Sequence, residues 1–266
     1  MAYTTIDNPV EYFSATLYTG NGTARTIATG HQSDWVWLKR RDGAAGHRIA
    51  DSVRGATKLL YSDSTTSEQT DAKSITGFVS TGFTLGDDAN GYDVNTNTNT
   101  MVAWSWKAGG SASSNSNGSI TSSVSASTDA GFSIVSYTGT GSDANVGHGL
   151  SSAPELIITK SRSTTGDWKV HTSAIDGSWD VGTLNSTSAF GNSSYTASTN
   201  SIFYVGSGAP TNASSVTYVS YLLHSVKGYS KFGSYTGNGS LDAPFIHLGF
   251  KPAWLMIKRT DTTNSW

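Results

Sequence analysis

"TMVAWSWK", residues Thr100–Lys107, decides the fold. Val102, Trp104 and Trp106 fall on one side of this run and Ala103 and Ser105 on the other, the period of two that a half-buried strand requires. "YVSYLLH" (Tyr218–His224) repeats the pattern with Val219, Tyr221 and Leu223 on one face, and "FSIVSY" (Phe132–Tyr137) alternates as well. Clusters such as "GDDANG" (Gly86–Gly91) and "SGAPTNAS" (Ser207–Ser214) punctuate these runs as turns. The one stretch tolerable as a short helix is Ala50–Ser62. With 29 Gly, 5 Pro and 11% aromatic residues, the composition suits short strands joined by many turns and suits long helices poorly.

The strands recur in a fixed order, which makes them a repeat. "YTGNG" stands at Tyr18–Gly22 and at Tyr235–Gly239, and "YTGTG" at Tyr137–Gly141. Behind each of these leading motifs lies an apolar run ending in lysine: "WVWLK" (Trp35–Lys39), "LIITK" (Leu156–Lys160) and "WLMIK" (Trp254–Lys258). "GFTLG" (Gly82–Gly86) matches "IFYVG" (Ile202–Gly206), and "TMVAWSWK" matches "TYVSYLLH". The expected organisation is a first β-sandwich repeat over 1–107, a Gly/Ser/Asn-rich linker over 108–130, a second repeat over 131–226 and the start of a third over 227–266. Within the linker, Ile120 and Val124 alternate well enough to suggest an extended stretch attached to the second repeat. The fold class is all-β: tandem antiparallel, jelly-roll-like sandwiches with the third repeat incomplete. The Tyr-Thr-Gly-x-Gly motif reads as a strand end and tight turn whose glycines supply positive φ. An isolated third half-sandwich would leave apolar surface bare, so Trp254, Leu255, Met256 and Ile257 are expected to pack on another unit or chain.

Charged residues make up 14% of the chain and the net charge is −2, which argues against a phosphate-binding surface and hence against nucleic acid as a partner. There is no cysteine, so neither a disulfide nor a thiolate metal site is available. No apolar run reaches the length of a membrane span, and "MAYTTIDNPV" carries no secretion signal.

Candidate chemistry is sparse. His31, His47, His148, His171, His224 and His247 form no metal-ligand spacing. The glycine-rich Tyr-Thr-Gly-x-Gly motifs evoke phosphate loops, but strand-like sequence follows them where a helix N-terminus would be needed. The only glutamates are Glu11, Glu68 and Glu155, none at a repeated position, so a glycosidase carboxylate pair has little to draw on. Asp87 and Asp88 read as a turn rather than a Ca²⁺ site, and "LKRRDG" (Leu38–Gly43) as a solvated basic turn. No catalytic, cofactor or metal residues are therefore expected. The tryptophans are the remaining candidates: Trp35, Trp37, Trp104, Trp106 and Trp254 are possible glycan or partner contacts, because aromatic faces stack on sugar rings. Against that stand the matching positions Leu156, Ile158, Tyr221 and Leu223, whose mostly aliphatic character favours core packing.

The opening "MAYTTIDNPVEYF", the stretch "DWVWLKRRDGAAGHRIADSVRGATK", "AWSWKAGG" and "GYSKFGSYTGNGS…GFKPAWLMIKRTD" together resemble a family of repeat-containing virion proteins of tailed bacteriophages, tail-fibre-like and abundant in marine phages. The resemblance implies a non-enzymatic virion structural protein, attached to the particle through its N-terminal part and supporting host recognition. It implies copies of itself, as a trimer, and other virion proteins as partners, with host surface glycan as a further one. No cofactor and no membrane insertion are implied, and the polypeptide is expected to continue past Trp266. The alternatives are a capsid or tail decoration protein, a glycan-binding receptor-recognition module, or a depolymerase.

Overall fold

The computed structural model describes residues 4–266; the first three residues of the expected 1–107 unit lie outside that range. The regular secondary structure is almost wholly antiparallel strand. In the first unit the strands are β1 (Phe13–Thr19), β2 (Arg25–Ala28), β3 (Trp35–Arg40), β4 (Arg48–Asp51), β5 (Lys58–Leu59), β6 (Gln69–Thr70), β7 (Ile75–Val79), β8 (Gly82–Leu85) and β9 (Thr100–Trp106). There follow β10 (Ser113–Asn115), β11 (Ser122–Ser127), β12 (Phe132–Thr138), β13 (Ala144–Gly147), β14 (Leu156–Ser161), β15 (Lys169–Thr172), β16 (Asp180–Thr183), β17 (Gly191–Asn192), β18 (Ile202–Val205) and β19 (Thr217–Leu223).

Strands β1-β9-β3-β4 form one sheet and β2-β8-β7 a second. Ile27, Val36, Leu38, Ile75, Phe83 and Ala103 from both sheets fill the core between them. Beyond residue 107 the sheet order is β10-β11-β12-β19-β14-β15-β16-β17, with β13-β18 packed over it; Val124, Val135, Ile157, Phe203 and Tyr218 close that core. The four strands of the first sheet and the inner four of the eight-stranded sheet run in the same order, β1-β9-β3-β4 against β12-β19-β14-β15. The alternation read in "TMVAWSWK" is the reason for the layering. Ala103 turns into the first unit's own core, while Trp106 turns out of it toward the second unit.

Residues 108–130 are not a free linker: they carry β10 and β11, and β11 pairs with β12 over Ser123–Ser127. Serine and asparagine concealed the strand, because only Val124 and Ile120 on this segment are large and apolar, and both are buried. Ala50–Ser62 holds no helix. Ile49 and Ala50 pair with Trp37 and Val36 on β3, and positive φ at Gly55 (+92°) and Thr57 (+71°) would break a helical turn. Residues 227–266 hold no named strand, although "WLMIK" has the composition of one. Its counterparts β3 and β14 are each flanked by two partner strands, and the described chain brings no such pair to Trp254–Lys258. The segment alternates all the same. Trp254 and Met256 pack against the central aromatic cluster, whereas Leu255 and Ile257 are 64% and 54% exposed, so the expected packing holds for two of the four residues.

The two glycines of the Tyr-Thr-Gly-x-Gly motif divide their work. Only the second takes positive φ, at Gly22 (+65°), Gly141 (+77°) and Gly239 (+67°). The first is there for close approach: a Cβ on Gly20 would lie 2.1 Å from the Thr96 carbonyl oxygen, and one on Gly139 2.3 Å from that of Ala213. At Gly237 nothing lies within 4 Å. Gly20→Ala and Gly139→Ala are therefore expected to cost about 1–3 kcal/mol each, the range for overpacking, and Gly237→Ala under about 0.5 kcal/mol, as read from urea midpoints.

Candidate functional site

The tryptophans face one another across the seam between the two units. Trp35, Trp37 and Trp106 are 2%, 7% and 6% exposed; Trp104 and Trp254 are half-buried. Trp35 stacks on Tyr221 at 4.5 Å and on Phe132 at 5.5 Å, both from the second unit, and lies 4.4 Å from Trp106. Trp104 meets Trp37 edge-on at 6.3 Å, and Trp254 meets Trp106 edge-on at 5.3 Å. Sugar stacking needs an open ring face, so burial removes Trp35, Trp37 and Trp106 from a glycan platform. Their partner is the other half of the same chain. The core packing expected of these residues is found, and it lies at the seam between the two units.

A buried ion network crosses the same seam. The Arg54 side chain is fully buried. Its Nε donates to Asp51 Oδ2 at 2.5 Å and its Nη1 to Glu68 Oε2 at 3.1 Å. The Tyr221 hydroxyl donates to the same Asp51 oxygen at 2.6 Å. Glu68 is gripped from the second unit by Arg162, Nε to Oε2 at 2.9 Å and Nη2 to Oε1 at 3.0 Å. Burial alone would push the Arg54 guanidinium toward neutrality; the Asp51 carboxylate, with Tyr221 and Glu68, outweighs it and raises the pKa. Burial likewise disfavours the charged Glu68, but Arg162 and Arg54 hold its carboxyl below the ordinary range. Truncating one member of such a network leaves the other charge buried and unpaired, so the network fixes how the two units sit together.

The third crossing is through backbone. The loop after β5 reaches β14 and the loop that follows it: the Trp168 indole N–H donates to the Tyr61 carbonyl at 2.7 Å, and the Lys160 ammonium to the Thr65 carbonyl at 3.2 Å. Lys160 also donates to the carbonyl of Ser161 at 3.1 Å. Burial lowers the Lys160 pKa to about 8, against a partial counter-pull from Asp167. A lysine whose folded pKa lies below its unfolded value costs stability in full below the folded value, and the cost is relieved as pH rises toward the unfolded one. Urea denaturation is therefore expected to give a stability that climbs by about 1–2 kcal/mol between roughly pH 8 and 9.5, with the slope lost in Lys160→Met.

The remaining candidates are accounted for locally. Asp88 Oδ2 accepts from the amides of Val94 and Asn95 and from the Thr96 hydroxyl, capping a turn, and Asp87 pairs with Lys73. In "LKRRDG", Arg40 pairs with Asp42 and Asp93, and Lys39 donates to the Ala45 carbonyl. His31 is held by the Val10 carbonyl and the Ser105 hydroxyl, and His148 by the Thr199 carbonyl and the Leu150 amide. His171 stacks on Tyr195, and burial lowers its pKa to about 4. His224 is buried with Nδ1 on the Ser225 carbonyl, and His247 is exposed. Among the described residues no group of His, Cys, Asp and Glu is arranged to hold a metal ion, and no helix is long and apolar enough to cross a membrane. Of the shallow surface depressions, one of about 480 Å³ is lined by Glu11, His31, Gln32, Ser80 and Lys107. Another, of about 380 Å³, is lined by Arg48, Tyr61, Asp63, Gln69 and Tyr92. Neither brings two carboxylates together.

Sequence reasoning missed the Asp51–Arg54–Glu68–Arg162–Tyr221 network. The one trace of it in the sequence is that Glu68 is one of only three glutamates. No curated protein and no solved structure matches the chain. A family model described as a domain of unknown function, DUF7483, matches residues 8–266, which takes in both units, the seam and the terminal segment; the chain belongs to that family.

Proposed function

We propose that the protein is a non-enzymatic structural protein of a tailed-phage virion. It is a tail fibre or appendage that attaches to the particle through its N-terminal part and supports host recognition. The observation that carries this reading is the use made of the aromatic residues. The residues best suited to bind a ligand, Trp35, Trp37 and Trp106, instead join two β-units into one body. The buried Arg54 network does the same. Such a seam favours a stiff, protease-resistant appendage over a protein built around a ligand cleft. The sequence resemblance points the same way, and with it come copies of the chain and other virion proteins as partners.

The experiment is immunogold labelling of particles of the encoding phage with antibody raised against the purified chain. Gold on the tail is the expected result, and gold spread over the capsid would make it a decoration protein. Unlabelled particles, or release of reducing ends when the pure chain meets host surface polysaccharide, would overturn the reading.

A further inference from the structure

The contact between the first and second units is written a second time, between the second unit and residues 227–266. On the first occasion Lys160 Nζ donates to the Thr65 carbonyl at 3.2 Å, the Gly166 amide to the same oxygen at 2.9 Å, the Glu68 amide to the Arg162 carbonyl at 2.8 Å, and Trp168 Nε1 to the Tyr61 carbonyl at 2.7 Å. On the second, Lys258 Nζ donates to the Thr187 carbonyl at 3.1 Å, the Asn264 amide to the same oxygen at 2.8 Å, the Phe190 amide to the Thr260 carbonyl at 3.0 Å, and Trp266 Nε1 to the Thr183 carbonyl at 3.1 Å. The gripping residues are shifted by 98 positions (160 to 258, 168 to 266) and the gripped loop by 122 (61 to 183, 68 to 190). The apolar side agrees. Trp35 and Trp37, Leu156 and Ile158, and Trp254 and Met256 occupy equivalent positions, and all six lie in or against one aromatic cluster. Three copies of one segment face one core, and each later copy grips the loop of the copy before it; such a heterologous contact makes a ring where its rotation closes.

The first unit's own copy of the gripping segment holds no loop of this kind among the described residues. Its equivalents of the gripping residues are Lys39, Arg41, Ala45 and His47, shifted by 121 (39 to 160). Lys39 turns back onto the Ala45 carbonyl and Arg41 is exposed. Both loops of the gripped kind in the described residues, Tyr61–Glu68 and Thr183–Phe190, are already taken. We propose that the Lys39–His47 edge is a docking site for the matching loop of a third unit of this fold, the unit whose first part is residues 227–266.

The chemistry of the edge specifies the loop. Arg41 stands where Arg162 holds Glu68 through two hydrogen bonds, whereas Thr260, at the same place in the terminal segment, faces Phe190. The loop that meets Arg41 therefore carries a carboxylate. His47 stands where Trp168 and Trp266 donate an indole N–H. Its Nδ1 accepts from Trp37 Nε1 at 2.7 Å, so the proton of the neutral ring is on Nε2 and supplies the same donor.

The test extends the intact chain after Trp266 with a copy of residues 169–226, the part of the second unit that follows the equivalent Trp168, with Glu in place of Phe190 in the copy. Amide exchange over residues 39–47 is expected to slow by about tenfold or more relative to the 266-residue chain, and Arg41→Glu to abolish the slowing. If the appended copy is itself protected from exchange while 39–47 exchanges as before, the proposal fails. If the copy does not fold, a cyclised peptide of residues 58–70 at millimolar concentration decides the matter. Protection of 39–47 in the intact chain, absent in Arg41→Glu, supports the docking site, and no protection overturns it. Protection that grows with the concentration of the unmodified chain alone would assign the edge to a second copy and would also overturn it.

Discussion

Trp35→Ala is expected to destabilise the whole protein by about 3–5 kcal/mol, the cost of deleting a large buried aromatic, measured as a shift of the urea midpoint at constant slope. The side chain is 2% exposed and sits between Trp106 of its own sheet and Tyr221 and Phe132 of the other. Its removal opens a void in the core that the two large sheets share, and the loss is felt by both units. Trp104→Ala serves as the comparison. That ring is half-buried and meets Trp37 edge-on at 6.3 Å, so about 1–2 kcal/mol is expected. A glycan platform predicts the reverse order of importance, with little stability lost at either position and binding lost at both.

Arg54→Met is expected to cost about 3–5 kcal/mol, because it strands the fully buried Asp51 carboxylate without a counter-charge. Adding Asp51→Asn removes that charge and keeps an acceptor for the Tyr221 hydroxyl, and is expected to recover about 1–3 kcal/mol of the loss as a non-additive term. The network also contributes to the loss of stability in acid. Arg162 and Arg54 depress the folded pKa of Glu68 below its ordinary value of 4.5. A carboxylate of this kind contributes stability that is full above the unfolded pKa and is lost as pH falls through the folded one. Acid unfolding should therefore begin at the seam, and Glu68→Gln should flatten the stability profile below about pH 4.5.

The strands were legible because their side chains alternate between two faces with different neighbours. Ala103 and Ser105 against Val102, Trp104 and Trp106 is a pattern that only a sheet satisfies, and it placed β9, β12 and β19 without reference to anything distant. The Tyr-Thr-Gly-x-Gly motifs were legible too, although the first glycine at two of them is selected by a carbonyl that approaches from far along the chain, Thr96 for Gly20 and Ala213 for Gly139. What could not be read was which elements the outer face of each sheet would meet. The Trp35 and Trp37 side chains look the same in sequence whether they stack on a sugar, on their own unit or on Phe132 and Tyr221. That choice is made by the packing of β3 against a sheet more than 90 residues further on (35 to 132). The ion network was hidden for the same reason. Arg54 and Asp51 are close in sequence, but Glu68–Arg162 and Asp51–Tyr221 are long-range pairs, and a lone arginine in a stretch at most tolerable as a short helix gives no sign of them. The β10–β11 segment was obscured by composition, since serine-rich strands carry few of the apolar residues on which period-two reading depends.

The tryptophan faces are the shared core of the two units, which should therefore open as one cooperative body. Native-state hydrogen exchange across a series of sub-denaturing urea concentrations tests this directly, by comparing amides of β9 with those of β19. Both strands are expected to converge on the same opening free energy and to fall together, by the same amount, in Trp35→Ala. Separate isotherms, with Trp35→Ala lowering β9 and leaving β19 unchanged, would contradict it.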